Sequence, residues 1–135
     1  MMKVAIVTGA TRGIGKAIAN TLAHNGYALV LNYRKLTDDF EAFAKSLPTE
    51  TLLVKGDVAH YQEAKDIVEA ALAQFGQVDL LVNNAGITRD QLILRLEEED
   101  FDHVIATNLK GTFNLTKHVS RSMLTKRSWS IINIS

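Results

Sequence analysis

The sequence has no cysteine and a single proline, and its fifteen basic residues are balanced by fifteen acidic ones. Without cysteine, disulfide bonds, thiolate nucleophiles and cysteine-ligated metals are excluded. Because the charges cancel, we expect no global attraction to nucleic acid or to an anionic membrane. The four histidines are scattered along the chain and do not show the spacing of metal ligands, so we expect no metal site.

Long hydrophobic runs are also missing, and none is long enough to span a bilayer. The first residues lead directly into a strand pattern, which leaves no room for a signal peptide. We therefore expect a cytoplasmic protein. The 135 residues, 47% of them apolar, suffice for one domain with a core. No linker, repeat or low-complexity run predicts a second domain, so residues 1–135 are interpreted as a single one.

Short apolar runs alternate with amphipathic patterns along the whole chain. The apolar runs predict five strands: Val4–Val7, Tyr27–Asn32, Thr51–Lys55, Leu80–Val82 and Ser130–Ile134. Helical patterns lie between them: a first helix ended by Gly26, then Thr37–Leu47, Ala64–Phe75 and Glu98–Lys126. This alternation predicts an α/β fold with a doubly wound parallel sheet, covered by helices on both faces.

A glycine-rich turn joins the first strand to the first helix. It runs from Thr8 to Gly15 with the sequence T-G-A-T-R-G-I-G, and the helix after it has Ile14, Ile18 and Leu22 on one face. Glycine lets the backbone bend sharply and lets a phosphate approach, and the helix N-terminus offers unpaired N–H groups. The turn therefore predicts a seat for the pyrophosphate of a dinucleotide. The alternative is a tight strand-to-helix turn that binds no ligand.

Polar residues follow the next three strands as well. Arg34 follows the second strand, Asp57 the third and Asn84 the fourth. Ligands of doubly wound sheets bind beyond the carboxyl ends of the strands, where the strand order reverses. We therefore expect these residues and the glycine turn to converge on one crevice.

Taken together, these motifs resemble the short-chain dehydrogenase/reductase family. They are the T-G-x-x-x-G-x-G turn, Asp57-Val58, Asn83-Asn84-Ala85-Gly86, and Asn108 within Thr107–Gly111. The stretch from Asn83 to Asp90, followed by Leu92, is similar to the β-ketoacyl-acyl-carrier-protein reductases of bacterial fatty-acid synthesis. The resemblance covers the whole chain but only about the first half of a family member, and it implies a Rossmann-like fold.

The resemblance implies a set of cofactor-binding residues. Asp57 would hold the amino group of adenine and Val58 would offer its backbone, while Asn84 to Gly86 would line the nicotinamide ribose. For Asp57, capping of the next helix is an alternative, and Asn83 is interpreted as a structural residue that ties strands together. The predicted cofactor-binding residues are Gly9, Ala10, Thr11, Arg12, Gly13, Ile14, Gly15, Arg34, Asp57, Val58, Asn84, Ala85 and Gly86.

Charge at the end of the second strand bears on the choice of cofactor. Family members that prefer NAD place an acid there to hold the ribose 2′-hydroxyl, and Tyr33 occupies that position. Arg34 follows it and Arg12 lies in the glycine turn, and a guanidinium suits a phosphate better than a hydroxyl. We therefore predict NADPH over NADH. The alternative is that both arginines are merely solvated.

The predicted apolar stripe of the last helix consists of Phe101, Val104, Ile105, Leu109, Leu115 and Val119. Asn108 falls on this stripe, three and four residues from Ile105 and Val104. This placement predicts a buried amide, which must be hydrogen-bonded. The resemblance implies that Asn108 supports a water in the proton relay of the reaction. The alternative is a hydrogen-bonded polar residue of the core.

The family's chemistry depends on a serine and on a Tyr-x-x-x-Lys pair. Tyr61 and Lys65 match that spacing, but we reject them because they precede the Asn83–Gly86 turn and begin a helix. Ser135 matches the neighbour of the family's catalytic serine. We therefore expect a chain that ends before the catalytic Ser, Tyr and Lys, with its fifth strand as an uncovered apolar edge.

The resemblance implies NADPH-dependent reduction of a 3-oxoacyl thioester by the complete protein, with the substrate carried on acyl carrier protein. The 135-residue chain alone would be inactive. Family members are commonly tetramers, so a homo-oligomer is expected. Basic residues at Lys126 and Arg127 either complement the helix dipole or meet the acidic carrier protein. Two alternatives stay open: another short-chain reductase, or a nucleotide-binding remnant without catalysis.

Overall fold

The structure, a computed structural model, describes residues 2–86 and 92–134. The strands in this part of the chain are β1 (Val4–Val7), β2 (Ala28–Tyr33), β3 (Thr51–Lys55), β4 (Leu80–Asn83) and β5 (Ser130–Asn133). They form one parallel sheet with the order β3-β2-β1-β4-β5. The predicted α/β fold with a doubly wound parallel sheet is confirmed.

Helices connect these strands. They are α1 (Gly13–His24), α2 (Asp38–Ser46), α3 (Tyr61–Phe75), α4 (Glu98–Val104) and α5 (Gly111–Lys126). A 3₁₀ turn (Ile93–Arg95) precedes α4, and a π-helical turn (Ile105–Lys110) joins α4 to α5. Within the described residues, no helix combines the length and the apolar character that crossing a membrane requires.

Local signals in the sequence explain where helices begin and end. Thr37 precedes α2, and its hydroxyl oxygen accepts a hydrogen bond from the Phe40 N–H at 3.2 Å, as its N-cap position predicts. Gly76 follows α3 in the left-handed conformation, with a φ of 78°. Both predicted boundaries are confirmed.

The core lies on both faces of the sheet. On one face, α3 and α5 pack against β1, β2 and β4 through Ile67, Val68, Leu115, Val119 and Met123. On the other face, α1 and α2 contribute Ala19, Ala23 and Phe40, and Leu47 lies just beyond α2. Because β1 and β2 are buried on both faces, their sequences are continuous apolar runs instead of alternating ones.

The predicted apolar face of α1 is wrong at its first turn. Ile14 is 62% exposed, and the buried residues of the helix are Gly15, Ala19 and Ala23. Gly15, Ala19 and Ala23 lie on one side of α1, and because they are small the helix can pack closely against the sheet on that side.

The long helix predicted over Glu98–Lys126 is helical throughout, but its predicted single apolar stripe is wrong. Leu115 and Val119 are buried, whereas Phe101 and Leu109 are 57% and 63% exposed. The π-helical turn accounts for the difference, because an extra residue in one turn rotates α5 relative to α4. The predicted burial of Asn108 is wrong for the same reason: Asn108 is exposed.

The structural role predicted for Asn83 is supported by its contacts. Its side-chain N–H donates to the Asn133 side-chain oxygen at 2.9 Å, which joins β4 to β5. The same group lies 3.4 Å from the Thr116 hydroxyl on α5. Asn83 therefore ties two strands and a helix together at the carboxyl edge of the sheet.

Candidate functional site

A cleft of about 750 Å³ lies at the carboxyl ends of β1 to β4. Eight of the predicted cofactor-binding residues line it: Gly9, Thr11, Arg12, Arg34, Val58, Asn84, Ala85 and Gly86. The expected convergence of four strand ends on one crevice is thus observed. The other predicted site residues are not part of its lining: Ala10, Gly13, Ile14, Gly15, Asp57 and Asn108.

The turns after β1 and β4 are bonded to each other. The buried Thr8 hydroxyl oxygen accepts the backbone N–H groups of Asn84 and Ala85, each at 2.9 Å. In return, the Asn84 side-chain N–H donates to the Gly9 carbonyl at 3.1 Å. Since β1 lies between β2 and β4 in the sheet, these bonds fix the floor of the cleft where the strand order reverses.

Two glycines make this close packing possible. Gly9 has a φ of 63°, a conformation that strongly favours glycine. A Cβ on Gly15 would stand 2.2 Å from the Gly9 carbonyl oxygen and 2.5 Å from the Asn84 side-chain nitrogen. The first turn of α1 therefore lies directly against the floor of the cleft, as a phosphate seat at a helix N-terminus requires.

The loop after β3 carries Asp57 and Val58. One Asp57 carboxylate oxygen accepts the Ala59 N–H at 2.9 Å, and the Asp57 N–H donates to the Glu63 carboxylate at 3.1 Å. The Asp57 backbone N–H, with His60 beside it, lowers the pKa of Glu63. Glu63 thus stays charged at lower pH and keeps bonding the loop. The Asp57 carboxylate therefore stabilises the turn before α3 but does not cap the helix as the alternative proposed, because the N-cap of α3 is His60. The contact of Asp57 with adenine stays a prediction.

Basic side chains gather at the β2 end of the cleft. Arg12 and Arg34 line it, as predicted, together with Lys16 and Lys35, which the sequence analysis missed. Asp39 is the acidic residue in the same lining. The Lys16 ammonium lies 5.0 Å from the centre of the Phe43 ring, which holds it near the glycine turn. A signal for Lys16 existed in the sequence, because it follows Arg12 by one helical turn.

Five further lining residues were not among the predicted cofactor-binding residues: Asn32, Tyr33, Thr37, Gly56 and Thr107. The buried Asn32 side chain donates to the Gly56 carbonyl at 3.0 Å and pins the loop after β3 to β2. A polar amide in an otherwise apolar strand was the available signal for this role. The same reasoning pointed to Asn108 as a buried polar residue and was wrong there. Its neighbour Thr107 is the buried one, 2% exposed.

Asn108 nevertheless lies against the turn after β4. A Cβ on Gly86 would stand 3.1 Å from the Asn108 side-chain oxygen. The amide is therefore at the edge of the cleft beside Gly86, and its role in a proton relay stays a prediction.

The rejected Tyr61–Lys65 pair lies outside the lining of the cleft. The Tyr61 ring packs against His118, with 4.3 Å between ring centres, and Lys65 lies 3.7 Å from Glu69 on α3. These contacts leave the pair with a structural role. No group of side chains in residues 2–86 and 92–134 has the composition and arrangement to hold a metal ion.

Comparison with known proteins places these features in a family. The sequence profile described as short chain dehydrogenase matches residues 3–135. The 3-oxoacyl-[acyl-carrier-protein] reductase FabG of Staphylococcus epidermidis is 45% identical over all of this chain and 57% of its own length. The enzyme of the same name from Escherichia coli K12 is 42% identical over 98% of this chain and 54% of its own.

A solved structure is similar as well. The alcohol dehydrogenase of the archaeon Thermococcus sibiricus, complexed with 5-hydroxy-NADP, superimposes with a TM-score of 0.89 at 34% identity. The match covers 98% of this chain and 57% of that one. The chain thus spans little more than half the length of the relatives it matches. Since the family profile covers nearly every residue, the chain belongs to the short chain dehydrogenase family.

Proposed function

We propose that the complete protein is an NADPH-dependent reductase that converts a 3-oxoacyl thioester, carried on acyl carrier protein, to the 3-hydroxyacyl form. The observation that carries the proposal is the cleft at the switch point, where the Thr8 hydroxyl joins the turns after β1 and β4. The names of the staphylococcal and Escherichia coli relatives support the substrate class. The NADP analogue bound to the archaeal relative supports the cofactor.

The residues of the cleft fit a dinucleotide. A pyrophosphate would bind at the glycine turn, where Gly15 lies close to the Gly9 carbonyl and the start of α1 offers backbone N–H groups. Arg12 and Arg34 would hold the 2′-phosphate, and the Asn84–Gly86 turn would orient the nicotinamide ribose. The cofactor supplies a hydride when bound. Asn108, beside Gly86, would support the proton relay.

Replacement of Arg34 by alanine tests the cofactor preference. We expect the Kd for NADPH to rise by about tenfold or more, because a charge-assisted contact to phosphate is lost. The Kd for NADH should change little, since NADH has no 2′-phosphate. Isothermal titration with both nucleotides measures the two values. Lys45→Ala is the matched control, because Lys45 is exposed on α2, pairs with Glu41 at 3.8 Å and is not part of the lining of the cleft. An unchanged preference in Arg34→Ala would refute the assignment.

Turnover distinguishes the main proposal from its alternatives. NADPH oxidation should be measured with the natural protein and three substrates: a 3-oxoacyl thioester, a simple ketone and a sugar. Fast oxidation with the thioester alone supports the proposed reaction. Preference for either other substrate would indicate a different short-chain reductase, and nucleotide binding without oxidation would indicate a non-catalytic module.

We further propose that the protein is a homo-oligomer, a tetramer in its complete form. Four large apolar residues follow one another at intervals of four across α4, the π-helical turn and α5. They are Phe101, Ile105, Leu109 and Phe113, exposed by 57%, 40%, 63% and 57%. Acidic residues precede this stripe at Glu98–Asp100, and basic ones follow it at Lys117 and Arg121. Two antiparallel copies would bring opposite charges together and cover the stripe.

Leu109→Glu is expected to lower the oligomeric state, because it places a charge in the centre of the stripe. Sedimentation velocity should show smaller particles for this variant than for the unchanged protein. Leu124→Glu is the control, since Leu124 is equally exposed, at 68%, but lies outside the stripe. A monomeric unchanged protein, or equal effects of the two variants, would contradict the proposed interface.

Of the two basic residues that the sequence offers for docking of the carrier protein, Lys126 and Arg127, only Arg127 would be available. The Lys126 ammonium lies 2.6 Å from the Asp79 carboxylate and donates to the Gln77 side-chain oxygen at 2.9 Å. It is therefore engaged in a structural ion pair. Arg127, exposed and with a φ of 67° at the end of α5, is the residue of the pair that a carrier protein could contact.

A cytoplasmic location belongs to the same proposal, as acyl-carrier-protein substrates are soluble.

A further inference from the structure

A buried hydroxyl in the lining of the cleft has no partner in the part of the chain that the structure describes. Thr107 is 2% exposed, and its side-chain oxygen makes no hydrogen bond among the described residues. The same residue is part of the lining of the cleft. Buried polar atoms in proteins are nearly always hydrogen-bonded, and an orphaned one destabilises the fold. A hydroxyl retained in such a place therefore indicates a ligand that completes its bonding.

The surroundings of Thr107 show which part of the cleft it serves. Thr107, Gly111 and Asn114 are all buried, so they lie on the side of the helix that faces the protein. The Asn114 side chain donates to the Val58 carbonyl at 2.9 Å. A Cβ on Gly111 would stand 2.5 Å from a Val58 methyl group. This side of the helix is thus packed directly on the loop after β3, and Thr107 lines the cleft together with Val58 from that loop.

The π-helical turn is what gives Thr107 this orientation. In an uninterrupted helix the apolar stripe through Val104 and Ile105 would face the core, and Thr107 would lie to its side. With the extra residue of the turn, Thr107 is buried instead, and Ile105 is 40% exposed. π-helical turns occur frequently at functional sites. Burying a threonine hydroxyl in preference to an isoleucine side chain is unfavourable for folding alone, which again indicates a role in binding.

We propose that the Thr107 hydroxyl hydrogen-bonds the adenosine half of the bound dinucleotide, and so is a binding residue additional to Asp57 and Val58. This inference rests on the proposed function. A hydroxyl can donate to a ring nitrogen and accept from an amino group, and adenine offers both. The pyrophosphate seat at β1 lies in the middle of the sheet, so the loop after β3 lies on the side of the base.

Thr107→Val separates binding from folding, because valine has the same shape and no hydroxyl. We expect the Kd values for ADP and NADPH to rise by about tenfold, the equivalent of one hydrogen bond of about 1.4 kcal/mol. The Tm without nucleotide should be unchanged or higher, since the orphaned hydroxyl is removed. Thr107→Ser, which keeps the hydroxyl, should restore both affinities to within about threefold. Titration calorimetry and thermal unfolding of the natural protein and each variant measure these values.

Thr125→Val is the matched control, because that hydroxyl bonds the Arg121 carbonyl at 3.0 Å on the outer part of α5. It should leave nucleotide affinity unchanged. Equal ADP affinity in Thr107→Val and the natural protein would overturn the inference and leave the proposed function intact. Weaker binding of nicotinamide mononucleotide with normal binding of ADP would also overturn it. Failure of the natural protein to bind any of these nucleotides would refute the proposed function and this inference with it.

Discussion

Gly15→Ala should greatly weaken nucleotide binding, although in a helix alanine is more favourable than glycine by about 1 kcal/mol. The added methyl group would lie 2.2 Å from the Gly9 carbonyl oxygen, a backbone atom that cannot rotate away. The glycine turn must therefore shift away from the floor of the cleft. We expect a Kd for NADPH raised by about a hundredfold, as misplacement of a binding group by about 1 Å can have an effect of that size. The free energy of unfolding should fall by roughly 2 to 3 kcal/mol.

Gly13→Ala is the informative comparison, because it makes the same change in the same turn. Gly13 has a φ of 59°, but a Cβ there would meet no atom within 4 Å. We expect a destabilisation of roughly 1 kcal/mol from backbone strain and a much smaller loss of affinity. Titration calorimetry and urea unfolding measure the two quantities for each variant. If both alanines weakened binding equally, the close contact at Gly15 would not be the cause.

These glycines illustrate what the sequence could predict. The T-G-x-x-x-G-x-G turn predicted a phosphate seat between a strand and a helix, and the residues around Gly9 form such a turn. The sequence could not show that Gly15 serves packing against the Gly9 carbonyl and not the lining of the cleft. Spacing along the chain reports the backbone conformation, whereas the contact with Asn84 depends on how β4 is placed beside β1.

The last helix shows the opposite case, in which a regular pattern led to a wrong detail. Periodicity predicted one continuous helix with Leu109 and Asn108 facing the core, yet both are exposed. A single π-helical turn changes the phase between the residues before it and those after it, and no residue type in Ile105–Lys110 marks it in advance. The sequence pattern therefore predicted that this segment is helical but did not predict which side of the helix is buried. The missed residue, Thr107, has a buried hydroxyl with no hydrogen-bond partner among the described residues.

The largest effect on stability is expected far from the cleft, at the ion pair between Asp79 and Lys126. The two charged groups are 2.6 Å apart, and their side chains are 7% and 28% exposed. The second Asp79 oxygen accepts the Val4 N–H at 2.8 Å and the Gln77 side-chain N–H at 3.0 Å. This carboxylate thus joins the starts of β1 and β4 to the end of α5. The pairing was not foreseen from the sequence, in which Asp79 and Lys126 are far apart.

Asp79→Ala should lower the free energy of unfolding by about 3 to 5 kcal/mol, because it leaves the Val4 N–H and the Lys126 charge without their partner. Lys65→Ala is the matched control: it breaks an ion pair on α3 whose side chains are 48% and 59% exposed, and it should change stability by less than about 0.5 kcal/mol. Urea unfolding measures both values. A double-mutant cycle with Lys126→Met measures the coupling energy between Asp79 and Lys126. A coupling energy near zero would show that the Asp79 carboxylate stabilises the fold through its bond to the Val4 N–H and not through the ion pair.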